Sequence, residues 1–297
     1  MLLSVVIVTY NSESTIQSCL EALFESTKFI KKEIFVVDNN SKDSTQKIIS
    51  EHFPKVTFTQ NSQNLGFGKA NNLVLKQTTG EFVLILNPDA IVNQNALDFL
   101  LSNIKKNDKF GFVTPRLTLS DGKIDPACKR SFPTPETSFY RLFFLHKLFP
   151  KNPKFTAYNL STFPEKDNFL VDAISGAFML CRKSLLEEIG YFDEDFFMYG
   201  EDLDFCLRAK KAGFENAYFG EVQITHLKSV SSKNLTNFKA LLEFYKAMLI
   251  FFNKHFAQKY SLGIGFIVYI GIIVSFLIKL ILTPFRARNY ARTIKSI

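Results

Sequence analysis

Short runs of apolar and β-branched residues alternate with stretches of helical periodicity through the first hundred positions. Leu3 to Thr9, Glu33 to Val37, Val56 to Thr59 and Phe82 to Leu86 read as strands, and the segments near Thr15 to Phe24, Ser44 to His52, Lys69 to Gln77 and Asn95 to Lys105 read as helices. SVVIV and FVLIL are apolar at consecutive positions, as strands covered on both faces are, so the pattern predicts an α/β domain with a mainly parallel central sheet flanked by helices. Ligands of such sheets lie beyond the carboxyl ends of the strands. Three predicted ends are polar there: Thr9-Tyr10-Asn11, Asp38-Asn39-Asn40 and Asn87-Pro88-Asp89.

Between Leu119 and Val171 the periodicity weakens and prolines punctuate bulky aromatics and leucines. Residues 118–170 are therefore expected to be an insertion, either a lid or acceptor-side element or a structural elaboration. Order returns with VDAISGAFMLCR, a buried strand or turn, and with Ser184 and Glu187 spaced as a capping box opening a short helix that Gly190 closes. A further helix begins at Glu201 or Asp202 and ends at Gly213, with Leu203, Cys206 and Ala209 facing the core and Asp204 and Arg208 able to pair. The catalytic domain is expected over residues 1–231 and a hydrophobic helical, membrane-associated tail over 232–297.

The hydrophobic fraction, 46% of 297 residues, permits a substantial core without disulfides. Cys19, Cys128, Cys181 and Cys206 have no metal-ligand spacing and read as reduced, inert thiols. The N-terminus lacks a basic region before its apolar run, so no signal peptide is expected. From Lys233 onward ten Lys and Arg residues stand against one acid, Glu243, a local net of +9 in a chain whose total is +8. A positive field confined to the tail points to anionic membrane lipids as partners and away from nucleic acid. Leu262 to Ile278 is a 17-residue run without a charge, at the edge of spanning length. Lys246, Lys254 and Lys259 precede it and Arg286, Arg288, Arg292 and Lys295 follow it. Basic residues on both flanks favour an in-plane or re-entrant segment beside one leaflet over a single crossing or a helix buried in an oligomer, and Phe238 to Phe256 can lie along the same surface. The oligomeric state is not legible.

Several residues can carry chemistry. Asp38 can accept hydrogen bonds from a ribose or a pyrimidine NH, or cap a loop. GxGxxG after the first strand and GxxxxGK[ST] are both absent, which removes two nucleotide folds. Asn64, Gly66, Gly68 and Lys69, directly before a helix, can let backbone approach a nucleotide with Lys69 near phosphate, or simply form a tight turn. Asp89 is placed to hold Mg²⁺ or Mn²⁺ against a diphosphate, and His226 at another strand end is a plausible second ligand. Glu201 and Asp202 sit in the first turn of a helix, where carboxylates are stabilised.

Together SVVIVTYN, VVDNNSKDST, NLGFGKANN, LILNPDA, the long SGAFMLCRKSLLEEIGYFDEDFFMYGEDLDFCLRAKKAGF block and ITHLKS resemble the inverting, nucleotide-sugar-dependent glycosyltransferases of family 2, which have the GT-A fold, and within them a bacterial rhamnosyltransferase-like branch. The resemblance covers roughly residues 2 to 231 apart from the insertion. It implies nucleotide binding by Asp38, with Thr9, Asn11 and the glycine run in the donor site, a divalent cation (Mn²⁺ or Mg²⁺) at Asp89 and His226, and Asp202 as base with Glu201 beside it. Asn87-Pro-Asp89 replaces the family's Asp-x-Asp, so one carboxylate is missing. The implied donor is dTDP-rhamnose or another UDP- or dTDP-sugar, the acceptor a surface glycan or lipid-linked sugar, and the location the cytoplasmic face of a bacterial inner membrane. A sugar-phosphate nucleotidyltransferase is the competing enzyme; it would want a basic, glycine-rich loop after the first strand, where TYNSEST stands. A non-catalytic glycan-binding scaffold is the other alternative.

Overall fold

The computed structural model describes residues 2–228 and 238–294, with side chains as far as Ile281; the boundary expected at 231 and Lys295 lie outside the described residues. In chain order the elements are β1 (Leu2–Thr9), α1 (Ile16–Ser26), β2 (Lys31–Asp38), α2 (Thr45–His52), β3 (Thr57–Gln60), α3 (Phe67–Leu75), β4 (Phe82–Leu86), β5 (Ala90–Ile91), α4 (Gln94–Lys106) and β6 (Phe110–Thr118). The insertion carries α5 (Pro135–Leu142), α6 (Leu145–Leu148) and α7 (Pro153–Thr156). Then follow β7 (Asn168–Val171), β8 (Phe178–Arg182), α8 (Lys183–Ile189), α9 (Glu201–Lys211), β9 (Glu215–His226), α10 (Phe238–His255) and α11 (Leu262–Ile294).

The strands form one sheet in the order β3-β2-β1-β4-β8-β6-β9-β5, with β7 also on β9. Pairing is parallel from β3 through β4 and again between β6 and β9, but antiparallel at β4–β8, β6–β8, β7–β9 and β5–β9. The expected mainly parallel sheet is thus a mixed one. Parallel neighbours need a crossover, which the first βα units supply, whereas the insertion returns the chain into β8 without a helix across the sheet. Because β8 reverses between two parallel groups, β1, β2, β3, β4, β6 and β9 all end on the same edge. Every residue of β4 is fully buried, as is Val5 to Ile7 of β1, in keeping with layers on both faces; truncating one such side chain, Leu84→Ala for example, costs about 2–5 kcal/mol.

Helix boundaries follow local chemistry. The Asn93 side chain caps α4 by accepting from the Ala96 amide at 2.9 Å. Gly190, at φ 78°, closes α8 as expected, but α8 starts at Lys183 with no side-chain cap, so the Ser184 capping box does not form. α3 begins two residues before the expected Lys69, at the point where Gly66 turns the chain with φ 84°. The first tail helix also differs. Ala247, Phe251 and Phe252 of α10 join the main core, so one face of α10 is a layer packed on the sheet domain, while Phe238 and Phe244 remain exposed. α11 packs on α10 through buried Ile272, against Leu241 and Tyr245, with Val268, Phe276 and Leu280 on the same side, and most of its 20-residue apolar stretch, Leu262–Ile281, is left unburied.

Gly66 bears a specific load: a Cβ there would sit 2.3 Å from the Phe197 carbonyl oxygen, while one at Gly122, also at positive φ, would meet nothing within 4 Å. Gly122→Ala is expected to cost only the conformational penalty of about 1–2 kcal/mol. Gly66→Ala adds a backbone clash to it, and its melting temperature in detergent should fall several degrees further. Equal losses would show that the 197 loop yields freely.

Candidate active site

The carboxyl edge of the sheet brings two charged clusters into being. In the first, the short ladder between β5 and β9 sets Ala90 opposite His226, which draws the preceding Asp89 to the same spot, with the Leu227 amide donating to the Asp89 carbonyl at 2.8 Å. His226 Nε2 lies 3.1 Å from Asp89 Oδ1, both buried and without an aligned hydrogen bond to any group. The other ring nitrogen, Nδ1, meets Asp125 Oδ2 at 2.9 Å, and Lys228 Nζ donates to Asp125 Oδ1 at 2.8 Å. Burial opposes charge on the imidazole, but the carboxylates of Asp125 and Asp89 outweigh it and push its pKa up to about 9. Burial likewise opposes charge on Asp125, yet the hydrogen bonds from His226 and Lys228 hold its carboxyl well below the usual range.

This pair suits a divalent cation. Two orphaned donor atoms 3.1 Å apart match neighbouring ligands of an octahedral ion, about 3 Å apart for bonds of about 2.0–2.1 Å. Asp125 stands as the carboxylate that orients a ligating histidine from behind. Among the described residues no group of three or more His, Cys, Asp and Glu side chains is arranged to hold a metal, so the remaining ligands would come from water or a bound diphosphate.

The second cluster surrounds Asp202. Tyr199 (φ 69°) and Gly200 (φ 81°) turn the chain in succession before α9, a conformation disfavoured for a bulky tyrosine. The turn delivers Glu201 and Asp202 to the helix N-terminus. Asp202 Oδ1 accepts from the Leu203 amide at 2.8 Å; Oδ2 accepts from Arg130 Nη2 at 2.6 Å and from the Gly176 amide at 3.2 Å. Arg130 comes from the insertion, and the same nitrogen also donates to the Ile174 carbonyl at 2.7 Å. Glu201 points inward. Burial first, and Asp202 beside it second, push its pKa up to about 8.

The remaining expected residues are placed as follows. Asp38 is fully buried, accepting from Thr9 Oγ1 at 2.8 Å and from the Ser41 hydroxyl and amide. Asn11, at φ 51°, ties the β1 end to the β2 end through Ser41 Oγ and the Lys42 amide. These three come together at adjoining strand ends. The glycine run does something else. A Cβ on Gly68 would meet Phe192 Cβ at 3.0 Å and one on Gly66 would meet the Phe197 carbonyl, so on that side both glycines admit close approach of the protein's own chain. Asn64 accepts from the Gly66 amide, and Lys69 stands 3.8 Å from Glu194. Asn72, from the same run, exchanges hydrogen bonds with both the amide and the carbonyl of Phe192. The run therefore seats the loop that presents Glu201 and Asp202.

Asp125 and Arg130 escaped the sequence reading. Their one signal is a pair of charged residues in an apolar and proline-punctuated stretch, IDPACKR, at the foot of the insertion. The thiols of the four cysteines are all buried, and burial pushes each of their pKa values up, in keeping with inert side chains.

The sequence profile of Glycosyl transferase family 2 matches residues 4–190. The chain is 28% identical over 241 residues to N-acetylglucosaminyl-diphospho-decaprenol L-rhamnosyltransferase of Mycobacterium tuberculosis, covering 77% of either chain. It is 28% identical over 232 residues to rhamnosyltransferase WbbL of Escherichia coli, covering 75% of this chain and 82% of WbbL. The solved structure of Staphylococcus aureus TarS 1-349 superposes with a TM-score of 0.52 at 21% identity, over 82% of this chain and 65% of that one, a likeness of fold.

The raised pKa of Glu201 sets a sign for stability against pH. Below the usual glutamate value near 4.5 both folded and unfolded chains hold the proton, and the stabilisation is fully present. It is lost as pH rises towards about 8, because the unfolded carboxyl ionises first. Glu201→Gln should abolish that part of the decline, so the variant gains on the wild type between pH 5 and 8 by on the order of a few kcal/mol at most. Parallel profiles of melting temperature against pH would place Glu201 in a polar environment instead.

Proposed function

Because the chain belongs to glycosyl transferase family 2, we propose that it transfers a sugar with inversion from a pyrimidine nucleotide diphosphate donor, dTDP-rhamnose first and UDP-sugars second, to a hydroxyl of a lipid-linked or surface-glycan acceptor. That it is a glycosyltransferase using a nucleotide sugar follows from the family; the rhamnosyl preference is supported by the two rhamnosyltransferases among its relatives. One observation carries the mechanism: a carboxylate fixed by three donors at the strand-end edge, beside a second carboxyl that burial keeps neutral.

In this reading Asp202 takes the proton of the acceptor hydroxyl while that oxygen bonds to the anomeric carbon from the face opposite the nucleotide. The bond from that carbon to the leaving oxygen breaks, and its electrons pass to the diphosphate. Glu201, held protonated, leaves Asp202 as the base of the pair. Arg130 and the Gly176 amide orient one oxygen of Asp202, so the attack geometry is set before the acceptor arrives. Asp38, Thr9 and Asn11 line the nucleotide end, where Asp38 Oδ2 accepts one bond, from the Ser41 amide. Asp89 and His226 would hold Mn²⁺ or Mg²⁺, which when bound balances charge developing on the diphosphate.

We place the enzyme at the cytoplasmic face of a bacterial inner membrane, with α11 lying in the plane of the interface. Val268, Ile272, Phe276 and Leu280 repeat at four-residue spacing along the side of α11 that meets α10, while Ile267, Ile270, Val274 and Leu277 are exposed opposite. A helix held against the domain along its apolar length keeps to the domain's side and presents that other face to lipid.

Asp202→Asn is expected to keep donor affinity and lower turnover by about 10²-fold or more, measured as nucleotide diphosphate release across a panel of sugar donors. Unchanged turnover removes the base; preference for a purine donor removes the donor class. The cation is tested separately, by calorimetric titration of Mn²⁺ in the presence of dTDP or UDP. Asp89→Ala should abolish binding, His226→Ala should weaken it or shift metal preference, and Asp125→Asn should weaken it about 10–100-fold. Wild-type affinity in the Asp89 and Asp125 variants would mean the cation sits elsewhere.

A further inference from the structure

The insertion turns a second face outward, and that face is apolar. Phe139, Phe143, Phe144, Leu148 and Phe149, from α5 and α6 and their ends, are each at least half exposed. Phe139 and Phe143 pack on one another, ring centroids 4.5 Å apart, and Phe139 also meets the Tyr140 ring edge-on at 6.2 Å, yet both stay at least half exposed. Between the two helices Phe144 holds φ 56°, a left-handed conformation disfavoured for a bulky side chain, and its ring remains 57% exposed. The strained turn thus breaks the helix so as to present aromatic rings outward rather than to bury them. Soluble monomers rarely show contiguous apolar patches of this kind without a partner.

Charge and position identify the partner. Arg141, Lys147, Lys151 and Lys154 are exposed in the same segment, against the single acid Glu136 between positions 135 and 155, which pairs with Lys154. Lys147 lies over the Phe144 ring, so charge and aromatic share one surface. The patch also adjoins α11. Gly271, in the middle of the apolar stretch Leu262–Ile281, lets the helix approach Leu142 of α5, whose Cδ2 would be 3.7 Å from a Cβ at that glycine. Whatever covers the exposed side of α11 at its midpoint therefore reaches the edge of α5 as well. Aromatic and leucine side chains bordered by basic ones fit the boundary between acyl chains and anionic headgroups.

We infer that residues 135–155 form a second membrane-inserting element, which enters an anionic bilayer beside α11 and fixes the tilt of the catalytic domain on it. The inference rests on the anchoring of α11 proposed above, extending it from the tail to the insertion. With two contacts on separate parts of the chain, the domain cannot swivel about a single helix, and the insertion segment that carries Arg130 to Asp202 is held at the lipid surface.

The four native cysteines are buried, so an introduced surface cysteine can be labelled selectively in the full chain. Leu148→Cys, Ile273→Cys and, as a remote control on α2, Lys47→Cys would each carry an environment-sensitive nitrobenzoxadiazole probe. Each is reconstituted with vesicles of phosphatidylcholine and phosphatidylglycerol in equal amounts, bearing a nitroxide on the acyl chain. Quenching at position 148 should be comparable with that at 273 and several-fold stronger than at 47, and Lys147→Glu with Lys151→Glu should reduce it at 148 while leaving 273 unchanged. Quenching at 273 without quenching at 148 overturns this inference and leaves α11 as an anchor. No quenching at either overturns both. Burial of the 148 probe that grows with protein concentration in the absence of lipid would assign the patch to a second copy of the chain and also overturn it.

Discussion

A charge withdrawn from water must find its opposite, and two buried carboxylates of this protein and one part-buried one do so across long stretches of chain. Asp202 of α9 meets Arg130 of the insertion; Asp125, in the same insertion, meets His226 at the end of β9; Asp204 of α9 meets Arg208 and, at 2.7 Å, His255 of α10. Removing one member of such a pair strands the other at a cost of about 3–5 kcal/mol. The insertion, α9 and α10 are therefore tied together by charge as much as by apolar packing. Two of the tied residues, Asp202 and His226, are those to which the chemistry is assigned, so the demands of a buried charge also aim the reactive groups.

The same ties explain what could be read from the sequence. The first four strands and their helices are local patterns, each complete within about a dozen residues, and they were legible at once. The meeting of Asp89 with His226 was legible as two polar strand ends, though only the β5–β9 ladder shows why they touch. Asp125 and Arg130 were not, because their partners lie 101 and 72 residues away and no periodicity marks the segment they occupy. The mixed sheet escaped for a related reason. β6 and β9 pair across the whole insertion, and the direction of a strand is set by the path between its neighbours rather than by its own residues.

The NLGFGKANN run shows a different limit. Glycines beside asparagines before a helix fit close approach of backbone, and close approach is what the structure has; the approaching group is Phe197 and Phe192 of the protein itself. Composition registers that space is needed and is silent on what fills it. The interleaved Phe, Leu, Tyr and Lys of α10 mislead in the same way, since an amphipathic helix suits a membrane surface and a protein core alike. Here the core claims it, through Phe251 and Phe252 within and through Lys254 bonded to Asp193 and Asp195 at the rim.

That placement of α10 bears on where the chain can be cut without opening its core. A protease cutting in the stretch between β9 and α10 would not release an active soluble enzyme. It would part from the domain the helix whose Ala247, Phe251 and Phe252 sit in the core, and with it the His255 imidazole bonded to Asp204, two residues beyond Asp202. A cut after Lys259 instead spares every one of those contacts and removes only the helix that faces outward. Losing α11 and opening the core would thus be separate events, with α10 (Phe238–His255) lying between the two points of cleavage.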